Sequence, residues 1–317
     1  MIRLHRLHRA ALVAVGALVF VVGCSTKDEP ASDGRLTVAA AFFPIEEIVR
    51  QVGGDAINVV TLVPPGEDAH EYEPTPQQVA RLEQADVVFY LGGGFQPGVE
   101  KVIAGLPDRV VRVDLLEGLT LRPVTDQPAG STGTTAGETI DGDLDPHVWL
   151  DPANMQAMTD AVAPVLSAAR PDDAATFTAN ANSYRAALGA LDQRMTAGLA
   201  SCTSPVIVTA HRAFVYLASA YGLTQIPIAG ISPNDEPSAK TLAAVAEAAD
   251  ASGARTIYFE ENLPADLART VADEIGATTG VLDTAESLSR DQIAAGDTYI
   301  SVMDRNLAAL RDGLGCR

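Results

Sequence analysis

The stretch INVVTLVPPGEDAHEYEP, residues 57–74, decides how this chain is read. Its first seven residues, Ile57 to Val63, make an apolar, β-branched run that predicts a buried strand, and Pro64-Pro65-Gly66 predicts the turn that ends it. Beyond the turn stands His70, flanked by Glu67, Asp68, Glu71 and Glu73. In open α/β sheets, the loops leaving the carboxyl ends of strands are where ligands sit. A neutral imidazole among carboxylates suits a divalent cation better than a phosphate or a covalent nucleophile. Taken alone, a histidine in an acidic loop is more often a surface residue than a ligand.

On either side of this stretch the pattern alternates. Leu36 to Phe42 reads as a strand and Pro44 to Val52 as an amphipathic helix with Ile45, Ile48, Val49 and Val52 on one face. Pro76 to Gln84 is a predicted helix, Asp86 to Leu91 a strand, and Val110 to Val113 a short strand. Gly92-Gly93-Gly94 lacks both GxxxxGK[ST] and GxGxxG spacing, so a tight strand-to-helix turn is expected there rather than a phosphate loop. Strands alternating with helices imply right-handed βαβ units around a parallel sheet.

The second half repeats the alternation. Pro205 to Thr209 predicts a strand with a helix beginning at His211, whose apolar face is Phe214, Leu217, Ala218 and Tyr221. Thr241 to Ala251 is a helix, Thr256 to Phe259 a strand leading into Glu260-Glu261, Leu267 to Ile275 a helix, and Thr279 to Leu282 a strand ending at Asp283. Between the halves, Asp151 can cap a helix whose first residue is Pro152 and which Pro171 stops. A longer helix follows, Asp172 to Ala200, with Phe177, Tyr184, Leu188, Leu191, Met195 and Leu199 drawing one buried stripe. At about 1.5 Å per residue it would span roughly 40–45 Å, more than one small lobe requires.

Residues 1–23 place Arg3, Arg6 and Arg9 before an apolar run, Ala10 to Val22, that is too short to span a bilayer comfortably. This is the pattern of a signal peptide. It ends at Val21-Val22-Gly23-Cys24, which resembles a bacterial lipobox, so Cys24 is the expected lipidation site and Ser25 to Gly34 a polar tether. The segment holds three of the 22 basic residues and none of the 41 acidic ones, leaving 19 against 41 and a mature charge near −22. Such a chain should not bind nucleic acid or an anionic lipid surface electrostatically. With Cys24 lipidated, Cys202 and Cys316 are the only thiols left in an oxidising compartment, and a disulfide between them is expected. Pro123 to Asp143, rich in Gly and Thr, reads as a mobile surface loop.

Of the five histidines, His5 and His8 fall in the signal segment, and His70, His147 and His211 remain. Each lies in a motif. PPGEDAHEYEP (64–74), DPHVWLDP (145–152), TAHRAF (209–214) and ISPNDEPS (231–238), continuing to Val281-Leu282-Asp283, resemble in this order the metal-binding solute receptors of bacterial ABC importers. These form the zinc and manganese cluster that includes adhesin-like lipoproteins. The resemblance covers nearly the whole mature chain. It implies two Rossmann-like lobes, residues 35–170 and 202–317, joined by one long rigid helix within 171–201, with a metal site in the interlobe cleft.

The expected ligands are His70, His147, His211 and Asp283, with Glu260, Glu261, Glu67 or water as alternatives to Asp283. Three imidazoles and a carboxylate make a tetrahedral set suited to Zn²⁺. In the resembled family the third ligand is typically histidine in zinc receptors and a carboxylate in manganese receptors, so His211 points to Zn²⁺ over Mn²⁺. The histidine-rich loop of many zinc receptors has no counterpart in residues 123–143. The resemblance implies a monomeric, lipid-anchored receptor on the extracytoplasmic face that serves a membrane permease and its ATPase. A zinc hydrolase is the alternative from another class, though neither HExxH nor GxSxG is present. A chelate receptor ranks last, because only 5% of the residues are aromatic and basic residues are few.

Overall fold

A computed structural model describes residues 34–124, 144–261 and 265–317. The expected signal peptide, the lipidated Cys24, the tether up to Asp33 and the 125–143 loop lie outside the described residues. Two four-stranded parallel sheets organise the rest. In the first, β1 (Leu36–Ala40), β2 (Ile57–Thr61), β3 (Val87–Tyr90) and β4 (Val111–Asp114) lie in the order β2-β1-β3-β4. The second repeats that order with β5 (Val206–Thr209), β6 (Thr224–Pro227), β7 (Thr256–Phe259) and β8 (Thr278–Val281) as β6-β5-β7-β8. Their central strands are apolar on both faces because helices cover both sides.

Around the first sheet run α1 (Phe43–Gly53), α2 (Pro76–Leu82) and α3 (Pro97–Ala104). α4 (Pro152–Ala169) starts where the sequence places it, with Asp151 accepting a hydrogen bond from the Ala153 amide at 2.8 Å and Pro152 in the first turn. α5 (Ala174–Leu199) then runs 26 residues, burying Phe177, Tyr184, Leu188, Leu191, Met195 and Leu199 along one stripe. It packs on α1 and α4 of the first lobe and on α10 (Tyr299–Gly313) of the second. One continuous apolar core consequently runs through both lobes, and a smaller cluster sits between α7 (Ala239–Ala251), α8 (Asp266–Ile275) and the second sheet.

Four elements depart from the sequence reading. β6 was not expected, because TQIP is short and ends in proline; it is an edge strand, where a residue without an N–H costs no ladder bond. α9 (Arg290–Ala295) and α10 were also unassigned, although Ser289 with Gln292 and Thr298 with Ser301 form the reciprocal caps that open them. The helix expected at His211 begins only with α6 (Val215–Ala220), so His211 sits on a short loop instead.

The lobes are joined by buried polar contacts as well as by α5. The indole N–H of Trp149 donates to the Thr284 carbonyl at 2.7 Å, and the Tyr299 hydroxyl donates to the Trp149 carbonyl at 2.5 Å. Cys202, just beyond α5, and Cys316, just beyond α10, form a disulfide. Beside it the Arg317 amide donates to Ser201 and the Thr203 amide to Leu314, tying the C-terminus to the start of the second lobe.

Two outcomes follow from this framework. Cys202→Ser should lower stability by about 2–5 kcal/mol, read by thermal unfolding under non-reducing conditions. Two titratable thiols from Cys202 and Cys316 in the unreduced, unfolded protein would exclude the bridge. Because α5 is continuous and shares one core with both lobes, metal loading should leave the radius of gyration nearly unchanged in small-angle scattering. A fall of several ångströms would contradict this.

Candidate metal centre

Each lobe sends two side chains to one point between the sheets. Pro64-Pro65-Gly66-Glu67 folds as a turn, with the Glu67 amide donating to the Pro64 carbonyl and Gly66 at φ 79°, a conformation that favours glycine. Asp68 then accepts from the His70 amide at 2.7 Å, and the Gln96 amide group donates to the Ala69 carbonyl at 2.9 Å. The glycine turn after β3 brings Phe95 beneath the loop, its ring 4.8 Å from that of His70 and nearly perpendicular to it. Unlike His70 and His211, His147 does not follow a strand of either sheet. It precedes the short 3-10 turn at Val148–Leu150 that leads into α4, with Trp149 packed 5.2 Å from its ring.

His70, His147, His211 and Glu286 are all buried, and one ligating atom from each lies within 4.8 Å of all the others. The Nε2 atoms of His70 and His211 are each 3.4 Å from Nε2 of His147. Glu286 places its oxygens 3.6 Å from His70, 3.7 Å from His147 and 3.8 Å from His211. Four N/O ligands about 2.0–2.1 Å from a tetrahedral ion stand roughly 3.3–3.4 Å apart, so the spacing suits Zn²⁺ with little adjustment. Oε1 of Glu286 is buried and has no hydrogen-bond partner, as expected of an oxygen aimed at a cation.

Asp283, the expected fourth ligand, is not brought to the three histidines. Its Oδ1 accepts from the Ala285 amide at 2.8 Å and its Oδ2 from Gln292 at 2.9 Å, and it stands outside the clustered group. The residue that joins the histidines is Glu286, three positions further along the same loop. Of the alternatives, Glu260 lies behind His211 and holds its Nδ1 at 2.5 Å, while Glu67 and Glu261 are exposed at the mouth. Asp145 does for His147 what Glu260 does for His211, taking Nδ1 at 3.0 Å. Carboxylates in these positions fix the tautomer and raise the basicity of the ligating nitrogen. Above the centre, a cavity of about 200 Å³ opens between Glu67, Asp68, Asn234, Glu261 and Ser287.

Burial and mutual charge tune the four groups. Burial, with His70 and His211 nearby, takes the His147 imidazole well below its ordinary value. Burial also opposes the charged form of His211, but Glu260 outweighs it and brings His211 up to about 9. Burial works against ionising Glu286 too, yet the facing imidazoles of His70, His211 and His147 hold it down at about 2. Asp145 is raised to about 7 by burial, with its hydrogen bond from His147 and the charge of Arg212 working the other way.

A family model described as zinc-uptake complex component A, periplasmic, matches residues 38–313. The zinc-binding lipoprotein AdcA of Streptococcus pneumoniae is 38% identical over 95% of this chain, which spans 60% of that protein's length. The high-affinity zinc uptake system protein ZnuA of Bacillus subtilis is 34% identical, with 95% of this chain and 96% of the relative covered. Among solved structures, the Zn(II)-bound ZnuA-like domain of Streptococcus pneumoniae AdcA aligns with a TM-score of 0.75 at 36% identity, over 89% of this chain and 99% of that one.

With a raised His211, the metal-free centre carries a proton at pH 7 that a ligated metal must displace, so affinity should climb as pH rises from 6 toward 9. Calorimetry of zinc binding in buffers of different ionisation enthalpy should register proton release at pH 7. Glu260→Gln should reduce that release, and an affinity flat across this pH range would show that the metal displaces no proton from His211.

Proposed function

The chain belongs to the family of zinc-uptake component A (ZnuA), and from that premise we propose that it is the extracytoplasmic Zn²⁺ receptor of an ABC importer. The observation that carries the reading is the buried group of three histidine nitrogens and one carboxylate, spaced for a tetrahedral ion. Zinc is here the cargo. Residues 1–23 serve as a removed signal peptide, Cys24 takes the lipid that holds the protein at the membrane, and residues 24–34 tether lobes 35–170 and 202–317, with 171–201 between them. The receptor is a monomer that hands its ion to a permease driven by an ATPase. Among the described residues no helix is long and apolar enough to cross a membrane.

The family is one of substrate receptors, not enzymes, and nothing supports the zinc hydrolase. A catalytic zinc needs an open position for water, whereas here protein groups supply four donors. Zinc is favoured over manganese because three nitrogens move the site away from the oxygen-rich, higher-coordinate environment that Mn²⁺ prefers.

Elemental mass spectrometry of the purified protein should find about one zinc per chain. His211→Ala should weaken zinc and manganese alike, and His211→Glu should erode the preference for zinc by adding an oxygen donor. If His211→Ala left zinc affinity intact, the zinc assignment would fall.

A further inference from the structure

Asp283 stands outside the clustered ligand group, yet all four of its polar groups are hydrogen-bonded, one of them to the turn that carries Glu286. Its amide donates to Oδ1 of Asn306 at 2.9 Å, and its carbonyl accepts from Nδ2 of the same side chain at 2.7 Å. Its carboxylate takes the Ala285 amide with one oxygen and the Gln292 side chain with the other. Asn306 lies on α10 and Gln292 on α9, both buried. The next carbonyl, that of Thr284, accepts from Trp149.

Ala285 follows with φ 52°, the one non-glycine residue of positive φ among the described residues, and it is fully buried. An alanine enters this left-handed region at a cost and stays only where its surroundings impose it. His147 and His211 have carboxylates behind them to fix their bearing, but Glu286 has no hydrogen-bond partner for Oε1. The direction of the fourth ligand is therefore set by the backbone of the turn. Asp283 is bonded into that backbone through the Ala285 amide.

We propose that Asp283, supported by Asn306 and Gln292, is the positioning residue of the metal centre: it holds Ala285 left-handed so that Glu286 presents its carboxylate at a fixed bearing, which keeps the site four-coordinate. The inference rests on the reading of His70, His147, His211 and Glu286 as the zinc site. A Glu286 freed from this turn can shift and admit water beside it. A water added to the four protein donors raises the coordination number, which Mn²⁺ accepts more readily than a tetrahedral Zn²⁺ site does.

The test uses the mature protein with Zn²⁺, Mn²⁺ and Co²⁺ as probes. Asp283→Ala should weaken zinc binding about 10- to 100-fold, the usual cost of losing a group that orients a ligand. Manganese should lose less, and the intense visible bands that mark four-coordinate Co²⁺ should fade. Glu286→Ala should also weaken zinc, and adding Asp283→Ala to it should cost less than about twofold more, because the two act through one ligand. Ala285→Gly, which takes the same φ without penalty, should restore part of the affinity lost in Asp283→Ala. Asp283→Asn, nearly isosteric, keeps an acceptor for Ala285 and loses the one for Gln292, so an intermediate loss is expected even if the alanine variant does not fold.

Unchanged zinc affinity in both folded Asp283 variants would overturn the proposal. So would full additivity with Glu286→Ala, which would make Asp283 either a direct ligand or a source of general damage. Zinc affinity untouched by Glu286→Ala would instead overturn the underlying site, a separate and recognisable result.

Discussion

Three imidazole nitrogens and a carboxylate oxygen lie within 4.8 Å of one another in a buried group. Burying polar groups in this way is costly unless something compensates them. A divalent cation does so for all four at once. Since His70 and His147 come from one lobe and His211 and Glu286 from the other, the centre exists only while the lobes are packed together. The interlobe architecture serves that requirement.

The base of the cleft is built to stay closed. Trp149 is fully buried, touches the rings of Phe42, Phe95 and His147, and donates across the cleft to Thr284, while Tyr299 holds the Trp149 carbonyl. α5 and the continuous core add apolar burial on the same side. The mouth is lighter. There, the Gly66 amide donates to Ser287 at 2.8 Å and Asn234 donates to Asp68 at 2.6 Å, both at partly or fully exposed positions. Hydrogen bonds that water can replace break at lower cost than buried ones, so the mouth opens more readily than the base. Asp68 holds the His70 amide with its other oxygen, which joins the mouth directly to a ligand loop.

Charge is distributed to match. Asp145 and Glu260 stand behind two imidazoles, and Glu67, Asp68 and Glu261 ring the cavity above them. A cation approaching the mouth meets carboxylates first and nitrogens last, in an acidic protein whose field already favours its approach. Nitrogen donors at the end of that path favour zinc over harder ions.

Periodicity and punctuation in the sequence by themselves determined the alternating strands and helices, the start of α4 at Asp151-Pro152 and the long α5, because each is written in local spacing; the three histidines came from their scarcity outside residues 1–23 and from the family motifs that hold them. The Cys202–Cys316 pair was legible by elimination, as the only thiols left once Cys24 is set aside. Direction was not legible. Asp283 stands just beyond β8 and was the natural choice for a ligand, but a left-handed Ala285 turns the chain so that Glu286 points inward, and nothing in residue spacing announces that φ. His211 was expected at a helix start and lies on a loop. Glu260, named as a rival ligand, lies behind a histidine, since the same residue type can ligate or support depending only on where its neighbours place it. The sequence thus determined which loops carry the donors. The tertiary structure decided which donors meet, because ligation needs atoms within a few tenths of an ångström, and that precision comes from packing across the two lobes.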